Sequence, residues 1–319
     1  EEVKAAVIAE PRRVLLCENG VPEPGSGQIR IRVDGCGVCG SNLPLWEGKP
    51  WFKYPLEPGM PGHEGWGVVD AVAADVRRPV IGERVAMLSY NAFAEYDLAK
   101  ADAVVALPPS IRNKPFPGES IGCAMNVFDR SRIVSGQTVA VVGIGFIGAL
   151  LVRLASQAGA EVIAISRRPF ALEIARSCGA AHLIPMDDHE RILDRVNRIT
   201  CGKGCERVIE AVGLQWPLDL ATAMTAERGR LIIAGYHQDG PRQIDMQLWN
   251  WRGLDVINAH ERNQAVYLDG MQKAVDAMVQ GDLDLDCLLT HGFSLDRLGD
   301  AFEAMRTRPD GFLKAFVTA

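Results

Sequence analysis

Thr138-Val139-Ala140-Val141-Val142-Gly143-Ile144-Gly145-Phe146-Ile147-Gly148 is an apolar run that ends in a G-x-G-x-x-G spacing and opens into the apolar-periodic stretch Ala149 to Ala158. The run reads as a buried strand and the stretch as a helix, which puts the glycines in the turn between them. Such a turn suits a dinucleotide. The first glycine permits a tight turn, the second lets the backbone approach a pyrophosphate, and the third allows close packing of helix on strand, with the helix N-terminus facing the anion. A second strand, Glu161 to Ile165, follows at βαβ spacing. Further outward, strand signals at Val139, Val162, Val208, Leu231 and Val256 alternate with helical patterns from about Ser135 to about Ala259. That rhythm predicts a doubly wound parallel sheet, an α/β Rossmann domain, with Gly143, Gly145, Phe146, Ile147 and Gly148 against the cofactor.

The tip of the second strand selects the dinucleotide. An acidic side chain there accepts hydrogen bonds from the adenosine ribose, whereas a ribose phosphate needs basic partners. This chain carries Ser166-Arg167-Arg168 at that place, so NADP is expected over NAD. Two solvated charges at a strand end would read the same way.

The first third of the chain is rich in glycine, proline and short β-type runs: Gln28 to Val33, Gly67 to Val72 and Arg84 to Met87. These predict a compact, largely antiparallel, barrel-like domain. Within it lie Gly35-Cys36-Gly37-Val38-Cys39-Gly40-Ser41-Asn42 and, a short way on, Gly62-His63-Glu64-Gly65. Thiolate, imidazole and carboxylate are the ligand types zinc prefers, and the glycines let the backbone aim them inward. Taken alone, the Cys-x-x-Cys pair equally suits a redox dithiol, half of a structural zinc knuckle, or two small buried side chains.

With 319 residues, nearly half of them hydrophobic, the chain is long enough for two cores and is expected to be a soluble globular protein. A net charge of −6 offers no basic footprint for nucleic acid, and no apolar run approaches the length needed to span a bilayer. The opening residues Glu-Glu-Val-Lys do not read as a signal peptide. Eight scattered cysteines suggest no disulfide framework, so a cytoplasmic setting is expected.

Together the cysteine motif, Gly-His-Glu, Ala94-Glu95-Tyr96, the dinucleotide fingerprint, Val208-Ile209-Glu210-Ala211-Val212-Gly213, Leu289-Thr290-His291-Gly292-Phe293 and the segment near Lys314 resemble the medium-chain dehydrogenase/reductase superfamily, in its zinc-dependent alcohol and polyol branch. The resemblance implies a GroES-like β-barrel catalytic domain formed by residues 1–123 and 260–319 around a Rossmann domain of residues 124–259. It implies hydride transfer between an alcohol or carbonyl and NADP(H), with the active site in the cleft between the domains. By resemblance Cys39 and His63 are zinc ligands, the third being Glu119 or Glu64, and Cys36 is packing. Ser41 is the proton carrier, because Pro44 replaces the family's relay histidine, and Glu64 takes part in catalysis. Asn42 stands where the branch commonly has an aspartate orienting the zinc-bound histidine, and Lys314 falls at a pyrophosphate-contacting basic position. Cys123 is expected at the nicotinamide pocket, Glu210 as structural, and His182, His189 and His237 as ordinary loop or surface residues.

The four-cysteine lobe of many relatives is missing between Arg84 and Ala94, so one catalytic zinc and no structural zinc are expected. Cys201 and Cys205, without companions, read as a surface turn. Leu45, Trp46, Trp51, Phe52 and Tyr54 either shape a substrate pocket or pack the barrel. A glutamate-type metal site leans toward a polyol, sugar-derived or hydroxy-amino-acid substrate, and a homodimer or homotetramer is expected. The rival readings are a zinc-free quinone or alkene reductase of the same superfamily and a dinucleotide-binding protein with a structural or regulatory role.

Overall fold

Alternation from Gln28 to Gly37 buries Ile29, Ile31 and Val33 on one face, with Arg32 exposed on the other, the period of a half-buried strand. In the computed structural model, which describes residues 2–111 and 113–319, this strand organises the first of two compact units. Glu1 and Arg112, both inside the expected catalytic domain, lie outside the described residues. The units are Glu1–Gly122 with Asn263–Ala319, and Cys123–Arg262.

Strands are numbered in chain order. In the first unit β1 (Glu2–Glu10) and β2 (Arg13–Gly20) form a hairpin. β3 (Gln28–Gly37), β4 (Gly65–Val72), β5 (Arg84–Met87), β6 (Tyr96–Lys100) and β7 (Val104–Ala106) join β14 (His291–Ser294) and β15 (Ala315–Thr318) in one sheet. Its order is β14-β15-β3-β4-β5-β7, with β6 also on β3. Pairings are antiparallel except β14 with β15, which is parallel. Ile8, Ile29, Ile31, Met87, Phe93 and Phe302 fill the core. The aromatic segment after the cysteine motif belongs largely to that core. Trp46 stacks on Phe302 at 5.0 Å, Phe52 and Tyr54 pack beside it, and Trp51 alone is exposed.

The second unit holds six parallel strands, β8 (Thr138–Val142), β9 (Glu161–Ser166), β10 (His182–Pro185), β11 (Cys205–Glu210), β12 (Thr225–Ile233) and β13 (Asp255–Asn258), in the order β10-β9-β8-β11-β12-β13. Chain direction reverses its progress across the sheet between β8 and β11, and the crevice at the carboxyl ends of those two strands is the place where such sheets bind ligands. β10 was not expected. It is a four-residue edge strand containing one buried residue, Ile184, too short and too polar at its ends to give an apolar signal. Among the described residues no helix is long and apolar enough to cross a membrane.

Candidate functional site

β3 and β4 pair with Cys36 opposite Gly65, so the end of β3 and the start of β4 lie side by side. Cys39 follows β3, His63 and Glu64 precede β4, and one donor atom from each lies within 4.8 Å of the others. Glu119, in the first turn of the helix Gly118–Ser131, brings Oε2 to 3.9 Å from His63 Nε2. His63 Nδ1 is 2.9 Å from the Pro61 carbonyl. A carbonyl only accepts, so Nδ1 carries the hydrogen and Nε2 is the atom turned to the cluster. Burial works against a charged His63, but Cys39, Glu119 and Glu64 together raise it to about 10. An incoming metal must displace that proton.

The two glutamates differ. Glu64 is fully buried with Lys314 Nζ 2.7 Å from Oε1 and 2.6 Å from Oε2. Burial opposes the ammonium, yet Glu64, Cys39 and Glu119 hold it charged. Lys314, expected at a pyrophosphate, has its buried ammonium against Glu64 in this structure. Glu119 has no such partner, and burial beside Glu64 lifts its carboxyl to about 7 in spite of His63 and Lys314. Gly37 makes room for the arrangement, because a Cβ there would collide with Glu64 Oε2 and come within 2.8 Å of Pro117.

Asn42, which stands where the branch commonly has an aspartate, accepts the Cys39 N–H on its Oδ1 at 3.3 Å and so braces the cysteine turn, while the His63 ring is held by the Pro61 carbonyl. Cys36 is fully buried in the core, with its thiol pushed well up by burial and by Glu64. Ser41 is half-buried in the turn Gly40–Asn42, and among the described residues nothing holds its hydroxyl. Pro44 lies in the short helix that follows. Tyr90, missed in the sequence, stacks on the His63 ring at 5.8 Å and 18° while staying half exposed. The one available hint was its place just beyond β5, since nothing in a lone tyrosine reveals a partner 27 residues earlier.

A zinc ion fits these residues. The donor set is of the right chemistry: a thiolate, an imidazole and a carboxylate converge, and the Glu119 carboxylate lies beside His63. Among the described residues no other group of three such side chains converges. Cys201 is exposed on a turn, whereas Cys205 is buried at the start of β11. Cys123 is half-buried in the helix Gly118–Ser131.

In the second unit Gly143 takes φ +97°, which an L side chain rarely adopts, and an added Cβ would run into Val212. Gly148 likewise packs against the Gly143 carbonyl. A Cβ on Gly145 would meet nothing within 4 Å, so open space lies beside the turn where a pyrophosphate would approach. Phe146 and Ile147 begin the helix Phe146–Gln157, and Gly145 offers it no side-chain cap. Ser166 is buried and its Oγ accepts the Arg168 N–H at 3.4 Å. Arg168 Nη2 donates to the Ile144 carbonyl at 3.1 Å, tying the tip of β9 to the glycine turn. Arg167 is exposed.

Two sequence families match the chain: the alcohol dehydrogenase GroES-like domain over residues 25–109 and the zinc-binding dehydrogenase over residues 147–276. The chain belongs to the zinc-dependent medium-chain alcohol and polyol dehydrogenases. Sorbitol dehydrogenase of Bacillus subtilis (strain 168) is 25% identical, over 99% of this chain and 97% of its own length. A zinc-binding dehydrogenase from Sinorhizobium meliloti 1021 bound to NADP superposes with TM-score 0.85 at 24% identity, covering 100% of both chains. An alcohol dehydrogenase from Escherichia coli CFT073 complexed with NADH gives TM-score 0.88 at 22% identity, over 100% of this chain and 99% of the other. The two structures share the fold and carry different dinucleotides.

Proposed function

We propose that this alcohol dehydrogenase oxidises a secondary hydroxyl of a polyol, sugar-derived or hydroxy-amino-acid substrate, or reduces the matching carbonyl, using one zinc and NADP(H). The observation that carries the reading is the convergence of Cys39, His63 and Glu64 with Glu119 beside them. Cys39 and His63 are the ligands we assign, with Glu119 as the third: Glu64 is the carboxylate that converges with them, but both its oxygens face the Lys314 ammonium, whereas Glu119 stands 3.9 Å from His63 Nε2 without such a partner. When bound, zinc supplies a Lewis acid for the substrate oxygen and the nicotinamide supplies the hydride acceptor or donor.

The chain's own residues do the rest. Pro61 keeps the hydrogen on His63 Nδ1, so that Nε2 is free for the metal. Glu64 adds negative charge beside the cluster, and Lys314 limits it, which leaves the cation more electrophilic than a set of free carboxylates would. Ser41, in the turn Gly40–Asn42 directly after the cysteine, is the proton carrier we assign, a role Pro44 cannot take. The half-exposed ring of Tyr90 stacks on the His63 face and backs the imidazole. In the other unit Arg167 supplies a free cation for a ribose phosphate, while Arg168 braces the glycine turn.

Assays of zinc-loaded protein on paired polyols, hydroxy acids and simple alcohols, with NADP and NAD in turn, test this reading. Faster turnover of a polyol or hydroxy amino acid than of a primary alcohol is expected, with the lower KM for NADP. Arg167→Ala should raise KM for NADP at least about tenfold and leave NAD nearly unchanged, whereas Arg168→Ala should weaken both. Equal effects of Arg167→Ala on the two cofactors would defeat the NADP assignment.

A further inference from the structure

Glu210, at the carboxyl end of β11, is fully buried in the second unit, far in the chain from the metal ligands and unused by them. Its Oε1 accepts the N–H groups of Val212 and Gly213 at 2.7 and 2.8 Å, and its Oε2 lies 3.0 Å from His237 Nε2. On the far side of the ring, Arg242 Nε donates to His237 Nδ1 at 2.8 Å, and Arg242 Nη2 donates to the Gly213 carbonyl at 2.8 Å. His237 was expected to be an ordinary loop residue. The structure makes it the middle of a closed ring of hydrogen bonds running Gly213, Glu210, His237, Arg242 and back to Gly213.

The ring fixes the imidazole's state. A guanidinium N–H can only donate, so Nδ1 must be the acceptor, and Nε2 therefore carries the hydrogen given to Glu210. His237 is thus a neutral imidazole of one tautomer, joining a buried carboxylate to a cation. Close packing shows how tightly the ring is built: a Cβ on Gly235 would come within 2.6 Å of Glu210 Oε2, and Gly213 holds φ +87° against the Tyr236 backbone.

What the ring clamps is the turn Ala211-Val212-Gly213. That turn follows β11, one of the two strands bordering the switch-point crevice, and it packs on Gly143 at the end of the other, β8. We infer that His237 and Arg242 are positioning residues for the dinucleotide: through Glu210 and the Gly213 carbonyl they hold the wall of the crevice opposite the glycine turn. The inference rests on the dinucleotide reading of that crevice. It adds a loop, residues 236–242, that the G-x-G-x-x-G motif does not contain.

Fluorescence titration of the purified chain with NADPH and with NADH, alongside amide hydrogen exchange at Val212 and Gly213, tests it. His237→Ala and Arg242→Met are expected to weaken the preferred dinucleotide about tenfold and to speed exchange at both amides, leaving zinc content unchanged. His237→Gln should restore both readouts, because its amide can donate to Glu210 and accept from Arg242 as the imidazole does. Faster exchange with unchanged affinity would overturn the inference and make the ring merely structural. Affinity lost equally in His237→Gln would also overturn it. Wild-type protein that binds neither NADPH nor NADH would defeat the dinucleotide reading itself and the inference with it, and that result is distinct from the other two, in which wild type binds.

Discussion

Glu119 is the residue whose charge state ties metal to pH. Burial and the neighbouring Glu64 raise its carboxyl from 4.5 to about 7, against His63 and Lys314. A raised carboxyl favours the folded metal-free protein while protonated, so that contribution is full below about pH 4.5 and is lost as pH rises through about 7. Zinc needs the anion, and its stabilisation therefore grows over the same range. Thermal unfolding with and without zinc should show a larger zinc-induced rise in Tm at pH 8 than at pH 6, a difference that Glu119→Gln reduces and that the His63 proton, which zinc must also displace, keeps from vanishing; equal rises in the wild type would contradict the assignment. At Lys314 the expectation is one of stability. Lys314→Met leaves Glu64 buried without its partner, at a cost of about 3–5 kcal/mol in denaturant unfolding of the metal-free protein, partly recovered on adding zinc. Cys39 and His63 were legible because each sits in a short glycine-flanked motif. The Lys314 pairing was not, since its two ends are 250 residues apart and neither neighbourhood carries a signature of the other.

At the scale of elements, strands with clear alternation or continuous apolar runs were legible nearly to their ends: Gln28 to Val33 extends into β3, and Glu161 to Ile165 becomes β9. The connections were harder, because their form depends on hydrogen bonds to distant segments. The link between β5 and β6, which carries Tyr90, is the example: the Ala92 N–H donates to Gly62 and the Phe93 N–H to Gly59, locking it onto the loop that bears His63. Asp97 anchors the same link by accepting the Asn91 N–H at 3.3 Å. Burial raises Asp97 to about 6 from 3.8, with the Leu98 and Asn91 amides pulling the other way. The folded protein thus keeps this proton to higher pH than the unfolded chain, and stability falls as pH rises from about 4 to about 6, by roughly 1–3 kcal/mol. Urea unfolding across that interval should show the slope in the wild type, and Asp97→Asn should reduce it, leaving the part due to Glu119; an unchanged slope would place the titration elsewhere.

Across the whole molecule, the sequence reading separated a β-rich unit from a parallel α/β unit because period-two and period-3.6 patterns occupy different stretches of the chain. Return of the chain's end to the first unit came from resemblance, and no local pattern near His291 announces that β14 and β15 extend a sheet begun at Gln28. The metal cluster depends on that fold in two ways: the segments after β3 and before β4 supply Cys39, His63 and Glu64, and the segment leading into β15 supplies Lys314. The central claim is that this cluster, with Glu119, holds a single catalytic zinc. Its most direct test is the zinc content of protein purified with zinc present throughout, comparing wild type with Cys39→Ala and Glu119→Gln by elemental mass spectrometry. About one zinc per wild-type chain is expected, with most of it lost in both variants; zinc-free wild type, or full retention in Cys39→Ala, would overturn the assignment.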